Sequence, residues 1–230
     1  MVIDIARSAL VIVDVQNDFC LNGALAVSEG ERVVEPINRL SARFSASGGR
    51  VVATQDWHPK HHVSFASSHA GARLFDVVAV PVPQPSADEM PDTLHPTAVD
   101  QTLWPDHCVQ ETSGADFHPN LDLKPVTLII RKGARLTIDS YSAFFENDRR
   151  TPTGLDGWLK GLSLRTVFFG GLATDYCVLY SALDAVRLGY QTIVLLDACR
   201  GVGAPEGSVE RAIGHMREAG VHFMNSGDFR

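Results

Sequence analysis

Six short apolar runs constrain this chain more than any other feature: residues 9–15, 50–55, 126–131, 166–170, 191–197 and 221–225. Most are continuous Val, Ile, Leu and Phe runs, whereas a strand with one wet face alternates apolar and polar residues. Continuous runs of this length mark strands covered on both faces, as in a parallel sheet. The intervening segments carry helix signals. Ser28 and Glu31 have capping-box spacing before an apolar stripe of Val33, Val34, Ile37, Leu40 and Phe44, predicting a helix to about residue 45. Thr174 is placed to cap a helix over 175–188 that stops at Gly189. Pro205 is placed at the first turn of a helix running to about 219, stopped by Gly220. Strand–helix alternation predicts an α/β fold: a doubly wound, mainly parallel six-stranded sheet with helices on both faces.

The rhythm breaks between residues 57 and 125. That stretch holds nine of the twelve prolines and seven of the nine histidines and shows no strand pattern. A loop region of this length inside a compact domain usually carries function. No repeat or linker divides the 230 residues, so one domain over 1–230 with an elaborated insertion is expected. With Lys plus Arg 20 and Asp plus Glu 27, the net charge is −7, and no basic run exists to track a polyanion. Nucleic acid is therefore not an expected partner. Neither is a membrane, since no apolar run approaches the roughly 18 residues a spanning helix needs. The first residues lack the pattern of a signal peptide. Four scattered cysteines, Cys20, Cys108, Cys177 and Cys199, read as thiols of a reducing compartment, giving a cytoplasmic expectation. A monomer and a homo-oligomer are equally compatible with the sequence.

Ligands of open parallel sheets bind beyond the carboxyl ends of the strands. Four runs end there in reactive groups: Asp14, Asp56 with His58, Lys132, and Cys177. Cys177 alone would read as a small core residue. At the start of a helix, beside an incoming Lys132 and an Asp14 able to take its proton, it reads as a nucleophile favouring the thiolate. Asp56 and His58 can face one side of their segment, and His107 is a candidate third donor. Two imidazoles and a carboxylate suit Zn, Fe or Mn with positions left open. His61 and His62 are further candidates, and Cys20 and Cys108 are ligands only in principle. Phe19, Trp104 and Tyr141 lie close to these motifs and could wall a flat aromatic substrate.

Asp14-Val15-Gln16-Asn17-Asp18-Phe19, Asp56-Trp57-His58-Pro59, Trp104-Pro105-Asp106-His107-Cys108-Val109, Lys132-Gly133 and Gly171-Leu172-Ala173-Thr174-Asp175-Tyr176-Cys177 occur in this order along nearly the whole chain. Together they resemble the nicotinamidase/pyrazinamidase branch of the isochorismatase-like hydrolases, a superfamily of cysteine hydrolases. The resemblance implies a triad on Asp14, Lys132 and Cys177 and one divalent metal ion, zinc before iron or manganese, on Asp56, His58 and His107. It implies His62 as a possible fourth ligand, with His61 or a water held by Ser64 as alternatives. It also implies a cis peptide before Ala173, an oxyanion hole from the amides of Ala173 and Cys177, and an aromatic cage of Phe19, Trp104 and Tyr141. The implied reaction is hydrolysis of nicotinamide, and of pyrazinamide, through a cysteine thioester in NAD salvage. The alternative is another cysteine amidohydrolase of the ureidoacrylate or carbamoylsarcosine type, which keeps the triad with other pocket loops.

Overall fold

The computed structural model describes residues 3–82 and 97–228. All six apolar runs are strands, with ends shifted by at most three residues. They are β1 (Ser8–Val13), β2 (Arg50–Asp56), β5 (Leu128–Lys132), β6 (Thr166–Leu172), β7 (Gln191–Arg200) and β8 (His222–Met224). They form one parallel sheet in the order β5-β2-β1-β6-β7-β8. Every residue of β1 and β6 is buried, as continuous apolar runs require.

The helices are α1 (Val34–Ala46), α2 (Leu155–Gly161), α3 (Leu179–Arg187) and α4 (Ser208–Glu218). The pleat of β1 sends Leu10 and Ile12 to one face, where they join Ile37, Leu40 and Phe44 of α1. It sends Ala9, Val11 and Val13 to the other, where Leu155, Leu159, Ala182, Ala185, Ala212 and Met216 of α2, α3 and α4 cover them. The doubly wound expectation holds. Among the described residues no helix is long and apolar enough to cross a membrane.

Three helix starts differ from expectation, each for a local backbone reason. Glu29 adopts a left-handed conformation (φ 55°), so residues 30–33 form only a 3-10 turn, and the α-helix begins at Val34 without the Ser28 capping box. Gly207 (φ 76°) interrupts the chain after Pro205, so α4 starts at Ser208 rather than around Pro205. Thr174 is not a cap but the first residue of a π-type turn over Thr174–Val178, which precedes α3 and follows Ala173. Gly189 (φ 88°) and Gly220 (φ 94°) stop their helices as expected.

The insertion is not strandless. β3 (Val77–Pro81) and β4 (Ala98–Thr102) pair antiparallel as a separate ribbon. Residues 83–96 of the expected insertion lie outside the described residues.

One close approach fixes the site end of the sheet. Gly171 sits at φ 129°, and a Cβ there would lie 2.1 Å from the carbonyl oxygen of Val13. Only glycine allows β6 to run this tightly against β1, which brings the chain after Leu172 beside Asp14. Gly171→Ala is expected to cost about 3 kcal/mol or more. For a chain of this size that is a melting temperature lowered by roughly 10 °C in a thermal unfolding scan; an unchanged melting temperature would show that the β1–β6 contact is looser than described.

Candidate active site

Sheet register brings the reactive side chains together. Asp56 and Lys132 are direct partners across β2 and β5, and their side chains form an ion pair. Val13 pairs with Gly171, so Asp14 and the turn carrying Cys177 leave adjacent strands side by side. The Lys132 Nζ is the hub. It lies 2.9 Å from Asp14 Oδ2, 3.4 Å from Cys177 Sγ and 2.8 Å from the carbonyl oxygen of Ser140, and it donates to Asp56 Oδ1. Asp14, Lys132, Asp56 and Cys177 are all buried. Thr54 orients the acid: its hydroxyl donates to Asp14 Oδ1 at 2.6 Å while accepting the Asp14 amide at 3.1 Å.

Burial sets the resting protonation states. It raises Asp14 to about 6 against the lowering effect of Lys132, which leaves the carboxylate ionised at neutral pH. It would push Lys132 down, but Asp14 and Asp56 hold the ammonium well above its ordinary value. Cys177 is pushed well above the usual thiol range by burial, with Lys132 opposing and Asp14 adding to the rise. The expected resting thiolate is thus corrected: desolvation outweighs both Lys132 and the helix start. Cys177 is a thiol whose proton faces a carboxylate poised to take it.

Asp56, His58 and His107 converge. His58 Nε2 lies 3.6 Å and His107 Nε2 4.0 Å from Asp56 Oδ2, and all three are buried. Each imidazole donates its Nδ1–H to a backbone carbonyl, His58 to Gly133 at 2.9 Å and His107 to Pro105 at 2.8 Å. That leaves both Nε2 atoms facing the carboxylate; burial opposes a charge on His58, but the Asp56 carboxylate beside it outweighs burial and raises it. Metal-binding histidines are oriented in this way. Donor atoms about 2.0–2.2 Å from a shared ion stand about 3–4 Å apart, so this set fits one divalent ion. Burial and His58 lower His107 to about 4, keeping it neutral as a ligand must be. Asp56 divides its two oxygens between this set and Lys132, so the metal-type and Asp/Lys/Cys groups share one carboxylate.

The backbone under Asp56 is locked by Gln16, whose role depends on a contact between separate strands. The Gln16 side chain donates to the Asp56 carbonyl at 2.8 Å and accepts the Asp56 amide at 2.8 Å, and it also donates to the Ala115 carbonyl at 2.9 Å. The possible fourth ligand His62 does not join the set. Its ring stacks on His58 at 4.2 Å, its Nδ1 bonds the Ser64 hydroxyl at 2.7 Å, and its Nε2 bonds the Ile138 carbonyl at 3.1 Å. With both nitrogens committed it props His58, in a second group with Asp139. His61 is exposed.

A cavity opens in front of Cys177, lined by Phe19, Trp104, His107, Tyr141, Ala173 and Tyr176 among others. All three expected aromatics line it. Phe19 stands edge-on to His107 at 5.4 Å, and Trp104 edge-on to Tyr176 at 4.7 Å. Tyr176 and Asp139 are additions. Both stood inside or beside recognised motifs, but their facing could not be read without the turns that carry them. The Leu172–Ala173 peptide is cis, as the resemblance implied. Tyr176 and Val178 donate their amides to the Ala173 carbonyl, closing the turn that presents Cys177. Asp175 ties this turn to the 201–208 loop, accepting from the amides of Val202 and Gly203 and from the Ser208 hydroxyl.

Such an arrangement can attack an acyl carbon with sulfur, move one proton through a buried carboxylate, and hold a cation beside a slot for a flat ring. Comparison with known proteins leads to the same chemistry. The nicotinamidase of Acinetobacter baylyi is 43% identical over 218 residues, covering 95% of this chain and 92% of that protein. A solved Acinetobacter baumanii nicotinamidase/pyrazinamidase superposes with a TM-score of 0.86 at 43% identity, over 98% of this chain and 99% of that one. The pyrazinamidase of Pyrococcus horikoshii, solved in complex with zinc, superposes with a TM-score of 0.73 at 32% identity, over 95% and 99%. The isochorismatase domain matches residues 8–228, and this chain therefore belongs to the isochorismatase family.

Proposed function

We propose that this protein is a nicotinamidase, hydrolysing nicotinamide to nicotinate and ammonia, and pyrazinamide to pyrazinoate. The observation that carries the reading is the sharing of Asp56 between Lys132 and the two histidines, directly beneath an aromatic-lined cavity that ends at Cys177. A cysteine hydrolase needs only the first half of that arrangement. A reason for the second half is a flat ring with a nitrogen lone pair.

Asp14 takes the Sγ proton of Cys177 as sulfur bonds to the carboxamide carbon, and the carbonyl π electrons move to oxygen. The amides of Ala173 and Cys177 are assigned to that oxygen; removing one such donor typically costs about a hundredfold or more in rate. Lys132 keeps the carboxylate ionised before transfer and offsets the negative charge as it moves between Cys177 and Asp14. When the oxyanion collapses, the C–N bond breaks and Asp14 gives its proton to the departing nitrogen, releasing ammonia and leaving a thioester. Water then attacks the thioester carbon, losing a proton to Asp14. The C–S bond breaks, and that proton returns to the Cys177 sulfur. Phe19, Trp104 and Tyr141 hold the ring in plane so that the carbonyl carbon meets Sγ, a positioning effect worth several kcal/mol and of order 7 at best. Asp56, His58 and His107 would hold the ion, zinc by preference, which supplies when bound a Lewis acid able to orient the ring nitrogen.

The metal half of this reading has its own test. The purified protein is expected to carry close to one equivalent of divalent metal and to lose at least about a hundredfold in nicotinamide hydrolysis when it is stripped with a chelator, with recovery on adding zinc. His107→Ala is expected to lower both metal content and turnover. Full turnover by metal-free protein would remove the ion from the reaction, and unchanged metal content in His107→Ala would refute that ligand.

A further inference from the structure

The ladder between β6 and β7 ends at the pair Leu172–Arg200. Beyond it the two segments part, one into the turn that presents Cys177 and the other into residues 201–207 ahead of α4. Side chains take over where the ladder stops. Asp175 is buried. Its Oδ1 accepts the Val202 amide at 2.9 Å, and its Oδ2 accepts the Gly203 amide at 2.9 Å together with the Ser208 hydroxyl. Gly203 holds a left-handed conformation (φ 72°), and successive amides that converge in this way form a concavity suited to an anion. The next residue, Tyr176, donates its hydroxyl to the Ala204 carbonyl at 2.9 Å. The two side chains just before Cys177 thus grip three consecutive residues of the loop. Val202, Tyr176 and Cys177 all line the cavity.

Most groups assigned to the substrate ring come from the other half of the sheet. Phe19 follows β1, Asp56 ends β2 with His58 just beyond it, and the segment of His107 joins that edge through the bridge between His58 and Val109. The nucleophile stands on the β6–β7 half. A side chain that steadies only this half governs where Sγ meets the carboxamide carbon more than how tightly the ring is held. We infer that Asp175 is a positioning residue: its carboxylate couples the turn carrying Cys177 to the loop carrying Val202, and so fixes the nucleophile against a ring held elsewhere. The carboxylate is needed because both backbone partners can only donate, one to each oxygen. An asparagine would set its own N–H₂ against one of those amides and leave a buried donor unmatched. The inference rests on the nicotinamidase reading, and one arm of its test is independent of that reading.

The test separates alignment from binding and from stability. Asp175→Asn in the metal-loaded protein is expected to lower kcat for nicotinamide about a hundredfold, the scale of a small misplacement of reacting atoms. On the Cys177→Ala background, which cannot consume the ligand, the same change is expected to leave the calorimetric Kd of nicotinamide within about threefold. Gly203→Pro attacks the contact from the loop, removing one amide and the left-handed conformation. Gly203 is exposed with open space around it, so this variant has room to fold if Asp175→Asn does not. It is expected to lower kcat at least about tenfold, again without weakening Kd. Asp197 is the stability control: its carboxylate takes the amide and hydroxyl of Ser226 and does not line the cavity. Asp197→Asn is expected to lower the melting temperature with kcat within about twofold of wild type. The substrate-free arm is amide hydrogen exchange. Tyr176 and Val178 bond the Ala173 carbonyl, not Asp175, yet their exchange in folded Asp175→Asn is expected to be at least about tenfold faster, with β1 unchanged. A kcat within twofold of wild type in Asp175→Asn or Gly203→Pro, a Kd loss as large as the kcat loss, or an equal kcat loss in Asp197→Asn would overturn the positioning role. Unchanged exchange at Tyr176 and Val178 would overturn the coupling itself. Faster exchange in a protein whose wild type releases no ammonia would leave the coupling standing and refute the hydrolysis.

Discussion

Cys177→Ala is expected to abolish ammonia release from nicotinamide, lowering the rate by at least about 10⁴-fold, while the protein folds and binds metal as before. The size of the effect follows from the role: the sulfur makes and breaks the only covalent bond between enzyme and substrate, and Asp14 and Lys132 have nothing to activate without it. The retained fold follows from the packing. Cys177 stands on a turn closed by backbone bonds to the Ala173 carbonyl, with its sulfur at the cavity rather than deep in the sheet. Removing it shortens one small side chain, leaves the turn bonds in place and relieves Lys132 of one contact. Cys177→Ser is expected to be nearly as inactive, since burial that pushes a thiol well above its usual range acts more severely on a hydroxyl. A steady-state assay of ammonia with thermal unfolding alongside checks both halves. Residual activity within about tenfold of wild type would remove Cys177 from the chemistry.

Lys132→Met should show the second large effect, on activity and stability together. Lys132 faces two buried carboxylates, Asp14 and Asp56. Breaking a buried pair by removing one partner leaves uncompensated charge and costs about 3–5 kcal/mol. Without metal to relieve Asp56 the protein is expected to melt roughly 10 °C lower at neutral pH. The deficit has a definite sign in pH. Burial already raises Asp14 to about 6, above its unfolded value, and loss of Lys132 raises it further. A carboxyl raised in the folded state contributes stability that is present at low pH and lost as pH climbs through the raised value. The gap between Lys132→Met and wild type should therefore narrow toward acid pH. In the same variant Asp14 is protonated at neutral pH and cannot accept the thiol proton, so hydrolysis is expected to fall at least about a thousandfold. A variant that unfolds like wild type across the pH range would place the cation outside the pair.

Much of this was legible in the residues because parallel sheets write themselves plainly. Strands buried on both faces need unbroken apolar runs, and those of residues 9–15 and 166–170 were visible at once. The reactive groups stand where such runs end, so Asp14, Asp56, Lys132 and Cys177 could be assigned to one edge before their distances were known. What stayed hidden depended on tertiary context. β3 and β4 are short, mostly exposed and separated by a Pro-rich tract, so neither periodicity marks them. α2 has seven residues and two glycines, too weak a propensity to announce itself. Gln16 and Thr54 act through bonds to residues at least 40 positions away. His62 was indistinguishable from a ligand until the Ser64 hydroxyl and Ile138 carbonyl claimed its ring. The protonation of Cys177 is hidden for a related reason: helix start and lysine are readable in sequence, whereas the desolvation that outweighs them is a property of the packed site.

The measurement that reaches the central claim most directly is product formation from nicotinamide by the purified, metal-loaded protein at neutral pH, with nicotinate and ammonia quantified separately. The account predicts that both appear, in equal amounts, with the wild type, and that neither appears with Cys177→Ala. No nicotinate from the wild type, or equal rates from the two proteins, would contradict it.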